Sequence, residues 1–160
     1  MILLGIDPGL GTTGFGIISL VDKNIELVDY GIIRTSTKDK LAERLKIIFN
    51  KVTDLIKEYE PTIFSIEEVF YSNNIKSSLL LGHARSAAMV SAAIANIVIY
   101  EYSAKKIKQS ITGNGNAQKA QVKFMVQSIL GIKELIKSDD ASDALAIAIC
   151  HCHQIGNYNL

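Results

Sequence analysis

Five consecutive apolar residues, Ile2-Leu3-Leu4-Gly5-Ile6, lead into Asp7 and then into the turn Pro8-Gly9-Leu10-Gly11-Thr12-Thr13-Gly14. A run with no polar alternation predicts a strand buried on both faces, so the chain must build a sheet covered on each side. A carboxylate at the carboxyl end of such a strand stands at the mouth of a crevice, where α/β sheets place ligands. Two other acid positions share this character: Glu67, after Thr62-Ile63-Phe64-Ser65-Ile66, and the pair Asp140 and Asp143. Three such positions converging on one sheet edge would form a divalent-cation site.

The order of elements is mixed α/β. Strands are expected at 2–7, 15–20 and 25–34, joined through the glycine turn and a hairpin at Asp22-Lys23-Asn24, as an antiparallel meander. Between 39 and 59, Leu41, Leu45, Ile48, Val52 and Leu55 recur on one helix face. Pro61 ends that helix, and a fourth buried strand follows at 62–66. A helix over 77–95, a strand over 97–100 and helices near 103–110, 117–130 and 140–153 complete the chain. With 160 residues, no repeat and no linker, one domain over 1–160 is expected. The longest apolar runs are far short of a membrane span, and the amino terminus enters a strand, so neither membrane insertion nor a signal peptide is expected. Cys150 and Cys152 imply no disulfide framework, which suits a reducing cytoplasm.

The net charge of +1 conceals a division. Residues 69–133 hold eight Lys or Arg against a single acid, Glu101, a net of +7, while the remainder has a net of −6. A basic surface beside acidic metal ligands suits a protein that cuts a polyanion. The plainer reading is a solvated lysine face.

Gly9-x-Gly11-x-x-Gly14 matches the dinucleotide fingerprint literally, but that fingerprint needs a helix directly after its glycines. Here a β-rich stretch follows, and Asp7 would set negative charge against a pyrophosphate. These glycines are expected to let the backbone turn and approach a phosphate or a sister strand. The same turn resembles the first phosphate loop of the actin, chaperone and sugar-kinase superfamily, whose two large lobes exceed this length.

Strands one and four are expected to be parallel neighbours, which would set Asp7 and Glu67 about 5 Å apart. Glu67 and its neighbour Glu68 should diverge across the strand, so only one of them can join Asp7. Asp140 and Asp143 share a helix face, although Asp140 also fits a helix cap. Asp139 is turned away and reads as a cap or a solvated charge. Cys150-His151-Cys152-His153 fan around a helix and cannot surround one zinc ion. Glu101 ends a strand but belongs farther from Asp7, and His83 reads as a residue with a polar contact. Phe70 and Tyr71, beside Asn73, Asn74 and Lys76, either stack on nucleobases or cover the core. Ala84, Ala87, Ala88, Ser91, Ala92 and Ala95 form a small-residue surface for sheet packing or a homodimer seam.

Gly5-Ile6-Asp7-Pro8-Gly9, Ser65-Ile66-Glu67-Glu68-Val69-Phe70, Leu81-Gly82-His83-Ala84-Arg85, Lys108-Gln109-Ser110, Lys119-Ala120-Gln121-Val122 and Asp140-Ala141-Ser142-Asp143-Ala144-Leu145-Ala146 occur in that order along the chain. Together they resemble the successive motifs of the bacterial RuvC family of Holliday junction resolvases. The resemblance implies a ribonuclease H-like fold: a five-stranded mixed sheet of order 3-2-1-4-5, with strand 2 antiparallel, flanked by helices. It implies Asp7, Glu67, Asp140 and Asp143 as metal ligands for two Mg²⁺ ions, with Mn²⁺ able to substitute, and Lys119 as a further catalytic residue. Phe70, Lys76, Arg85, Lys105, Lys108 and Lys119 are the expected DNA contacts. It further implies a homodimer that makes paired symmetric nicks in four-way junctions, leaving 5′-phosphate and 3′-hydroxyl ends, beside a branch-migration helicase in the bacterial cytoplasm. Glu68, at a position commonly Gln in the family, and Asp139 are extra acids beside the expected ligands. The competing classes are an ATP-binding domain of the actin-like superfamily and a junction-binding protein without catalysis.

Overall fold

A computed structural model describes residues 1–68 and 74–157. Its sheet has five strands: β1 (Ile2–Asp7), β2 (Thr12–Val21), β3 (Asn24–Arg34), β4 (Ile63–Glu67) and β5 (Val98–Tyr102), in the order β3-β2-β1-β4-β5. β2 runs antiparallel to both β1 and β3, whereas β4 is parallel to β1 and to β5. This is the order and the antiparallel second strand expected from the sequence. The five helices are α1 (Leu41–Tyr59), α2 (Ile75–Ile94), α3 (Ala104–Thr112), α4 (Lys119–Ile129) and α5 (Asp139–Asn157).

β1 shows why its apolar run has no alternation. Leu4 and Ile6 are buried with Ile48 and Val52 of α1 and Ala84, Ala88 and Ala92 of α2. Leu3 is buried on the opposite face, in the core that Ile107, Val126, Leu145 and Ile149 build from α3, α4 and α5. Each face therefore has its own helical layer. Ala84, Ala88, Ser91 and Ala92 of α2 are buried toward the first of these cores, so the small-residue surface serves intramolecular packing.

Two turns decide how the first three strands meet. Asp22 and Lys23 both have positive φ, 49° and 69°, as a two-residue hairpin turn between β2 and β3 requires. The glycine turn is also tighter than expected, because β2 begins at Thr12 and Gly14 already pairs with Asp7. Thr13 Oγ1 donates to the Gly9 carbonyl at 2.7 Å and closes the loop. A strand, not a helix, follows the glycines, which removes the dinucleotide reading on structural grounds.

β5 extends past the expected limit of residue 100, so Glu101 lies within the strand. It stands opposite Ile66, on the α2 side of the sheet, and bonds to Arg85. Strand parity thus separates it from Asp7. No helix among the described residues is long and apolar enough to cross a membrane.

Candidate active site

The site begins with register. Gly5 pairs with Ser65 and Ile6 with Ile66 across the parallel β1–β4 ladder, so the next residues, Asp7 and Glu67, end adjacent strands on the same face. Parity sends Glu68 the other way: it is exposed, and its backbone N–H donates to the Tyr102 carbonyl at 2.9 Å.

The third acid position arrives on α5. Ser138, not Asp140, caps this helix: the Ala141 N–H donates to Ser138 Oγ at 3.4 Å and the Ser142 N–H to its carbonyl at 3.2 Å. Asp140 and Asp143 are thereby free of capping duty. Asp139 is exposed and pairs with Lys123 at 2.8 Å, which holds its carboxyl below the usual range. It is a surface ion pair on the flank of the site.

A glycine track lets α5 come this close. A Cβ on Gly5 would lie 2.2 Å from the Ala144 carbonyl oxygen, one on Gly14 1.9 Å from that of Asp140, and one on Gly16 2.8 Å from Leu145. Gly5 pairs with Gly16 and Asp7 with Gly14 across β1 and β2, so the bare patch is continuous. Gly9, Gly11 and Gly14 were expected to let the backbone turn and approach a phosphate or a sister strand; Gly14 instead approaches a helix, as do Gly5 and Gly16, for which no such role was expected. Backbone-to-backbone docking requires the missing side chains.

Asp7, Glu67 and Asp143 then line one cleft of about 230 Å³ with Lys108, Lys119 and the apolar side chains of Ile107, Val122 and Ile147. Asp140 flanks it and adds to the field on Asp7. Burial, and then Asp143, Glu67 and Asp140, push the Asp7 carboxyl from 3.8 up to about 8, against a smaller opposing pull from Lys119. Glu67 is raised by burial and by Asp143, with Lys119 and Lys108 opposing. Lys119 Nζ donates to Asp143 Oδ2 at 3.2 Å, and this carboxylate raises the lysine's pKa.

Among the described residues no three acid, histidine or cysteine side chains already close on one point as a cage; the acids line the cleft instead. The donor set nevertheless fits a divalent cation. Crowded carboxylates supply hard oxygen donors, and the burial and mutual repulsion that push Asp7 up to about 8 would be relieved by a doubly charged ion.

The expected DNA contacts divide by environment. Lys108 and Lys119 reach the cleft, while Lys105 on α3 and Lys76 at the start of α2 are exposed and do not line it. Arg85 is mostly covered: its Nε donates to the Glu67 carbonyl at 3.1 Å and its guanidinium bonds Glu101, bracing the ends of β4 and β5. That brace was not legible in the sequence. Phe70 and Tyr71 lie outside the described residues. His83 is exposed on α2. His151 and His153 are committed to Tyr102 at 2.5 Å and to Ser110 at 3.0 Å.

The family model described as Crossover junction endodeoxyribonuclease RuvC matches residues 3–151. A relative of that name from Alkaliphilus oremlandii is 45% identical over 158 residues, covering 99% of this chain and 96% of its own. The Thermus thermophilus RuvC structure superposes with a TM-score of 0.91 at 30% identity, covering 99% of this chain and 97% of that one. The structure of Thermus thermophilus RuvC in complex with Holliday junction substrate gives 0.89 at 29% identity, covering 98% and 96%. Sequence and sheet order agree, and the chain belongs to the RuvC family of crossover junction endodeoxyribonucleases.

Proposed function

We propose that this chain resolves Holliday junctions by divalent-metal-dependent hydrolysis of DNA phosphodiesters, making two symmetric nicks with 5′-phosphate and 3′-hydroxyl ends. The single observation that carries the reading is the cleft at the carboxyl ends of β1 and β4, where acids from two strands and α5 face Lys108 and Lys119. Asp7, Glu67, Asp140 and Asp143 would hold two Mg²⁺ ions, with Mn²⁺ able to replace them. Such a pair, when bound, lowers the pKa of an attacking water and neutralises charge on the leaving oxygen.

The remaining steps belong to the chain. Asp7, raised to about 8 by burial and then by its acid neighbours, would have to give up its proton to act as a ligand, and a bound divalent cation would favour the charged form. Lys119, exposed and tethered among the described residues to Asp143, is free to turn to the phosphate and stabilise its developing charge. Lys108 supports the same charge from the α3 side, and the apolar wall keeps the site dry enough for both to count. Lys76 and Lys105 extend the basic path along the DNA, and Phe70 stacks or wedges at the crossover.

Two cuts in a twofold substrate call for a twofold protein. The outer face of α2 supplies a seam: Ile75, Leu79, Val90 and Ile94 are exposed and fall within about 100° of arc on the helix. In this reading the homodimer works in the bacterial cytoplasm, at the nucleoid, beside a branch-migration helicase. Purified protein incubated with a mobile four-way junction, with and without Mg²⁺, tests the proposal. Paired Mg²⁺-dependent nicks are expected; junction binding without scission, or ATP binding by a monomer, would overturn it.

A further inference from the structure

The outer side of the α3–α4 connection carries features that the cleavage chemistry does not use. Phe124 projects from α4 with 70% of its surface exposed, on the opposite flank from Val122 in the acidic cleft. Beside it lies a shallow groove of about 420 Å³, bounded by Thr112, Asn114, Ala117, Gln121 and Met125.

Two amides in this groove have fixed polarity. Asn114 Oδ1 accepts from the Asn116 N–H at 2.9 Å, and Gln121 Oε1 accepts from the Gln118 N–H at 3.0 Å. A backbone N–H can only donate, so each amide oxygen faces the protein and each NH₂ faces outward. Thr112 is already satisfied, accepting from the Asn114 N–H and donating to the Lys108 carbonyl. The groove therefore offers side-chain donors beside an aromatic ring. Lys105 does not line the groove, but its stem lies beside Gly115 of the same loop and brings positive charge to that side of the molecule.

The occupant this surface suits is rich in acceptors, negatively charged, and has flat or apolar faces. A DNA strand meets all three requirements. The position agrees: Phe124 follows Lys119 by five residues, about 7.5 Å along the helix axis. The two side chains are also turned about 140° apart around that axis, so the groove meets the strand a few nucleotides from the scissile phosphate, after it has passed over α4.

We propose that the α3–α4 groove is a second DNA contact that grips the strand flanking the scissile phosphate. Phe124 lies against a sugar or base face, while Asn114 and Gln121 donate to phosphate or base-edge acceptors. The groove is a positioning site, and the inference rests on the reading of the acidic cleft as a junction nuclease.

The amides allow a test that spares the fold. Asn114→Asp and Gln121→Glu keep the inward oxygen and its backbone bond, but replace the outward donor with a repelling oxygen. The double variant should bind a four-way junction about tenfold or more weakly, and Phe124→Ala about three- to tenfold. Melting temperature, oligomeric state and divalent-ion binding should match the parent. A photo-crosslinking phenylalanine analogue at position 124 should capture DNA within about three nucleotides of the nick. Variants that bind and cut like a cutting parent, or a crosslink that is missing or far from the nick, would overturn the groove and leave the nuclease reading intact. A parent that does not cut would overturn the nuclease reading, and the crosslink would still decide the groove.

Discussion

Gly14 lies so close to Asp140 that a Cβ on the glycine would sit 1.9 Å from the aspartate's carbonyl oxygen. The first turn of α5 thus rests directly on the backbone of β2, at the position paired with Asp7. Gly5 and Gly16 hold the next turns in the same way, at Ala144 and Leu145. The site is assembled by what these strands lack.

Gly14→Ala should therefore act on fold and activity together. The methyl group cannot fit without moving the Asp140 backbone, and overpacking of this kind destabilises by about 1–3 kcal/mol or more. Cleavage should fall at least a hundredfold, since displacing a catalytic group by about 1 Å has effects of that size. Gly11→Ala is the control, because no atom lies within 4 Å of its added Cβ. Denaturant melts and single-turnover cleavage measure both; equal behaviour of the two variants would refute the docking argument.

Asp7 makes the metal-free protein sensitive to pH. Its carboxyl is raised from 3.8 to about 8 in the folded state. The folded state therefore holds this proton more tightly than the unfolded chain, and that contribution to stability is present at low pH and lost as pH rises through about 8. Asp7→Asn should then melt above the wild type at pH 8–9 without metal, by about 2–8 °C for a gain on the order of 1–2 kcal/mol. The same variant should lose Mg²⁺-dependent cleavage while keeping junction binding. For the wild type, divalent affinity should climb with pH up to about 8, with proton release measurable by calorimetry in buffers of different ionisation enthalpy. A pH-independent affinity would contradict it.

Lys119 is tied to Asp143 by an exposed ion pair at 3.2 Å. Exposed pairs of this kind contribute about 0–1 kcal/mol, so Lys119→Ala should leave the melting temperature nearly unchanged. Its effect should appear in the chemical step, as a loss of about 10²–10³ in cleavage rate at saturating junction. The slope of binding against salt should also fall by about one phosphate contact. An unaltered rate would make Lys119 a solvated charge.

The acids that line and flank the cleft were legible in the sequence because each stands at a place that apolar residues define. Asp7 and Glu67 end buried runs, and Asp140 and Asp143 open an alanine-rich helix. The rest was hidden because it depends on partners distant in sequence. Nothing local says that Gly14 meets Asp140, that Arg85 braces Glu101 and the Glu67 carbonyl, or that Ser138 relieves Asp140 of capping. The α2 helix was left open between two readings for a related reason. Its small residues were read as either packing inside the fold or forming a seam; Ala84, Ala88 and Ala92 pack inside, and large residues face outward.

That outward face yields the last prediction. Ile75, Leu79 and Ile94 are 75%, 61% and 67% exposed, more than a helix gains by leaving large apolar side chains in water. If they form the homodimer seam, Leu79→Asp combined with Ile94→Asp sets buried like charges across a twofold axis. Each unpaired carboxylate there opposes association by several kcal/mol. The variant should sediment as a monomer with native circular dichroism, because neither side chain contributes to the buried core. It should also nick junctions singly rather than in pairs, since each fold has one cleft and coordinated incision needs two. A double variant that remains dimeric and still cuts in pairs would move the seam to another face of the molecule.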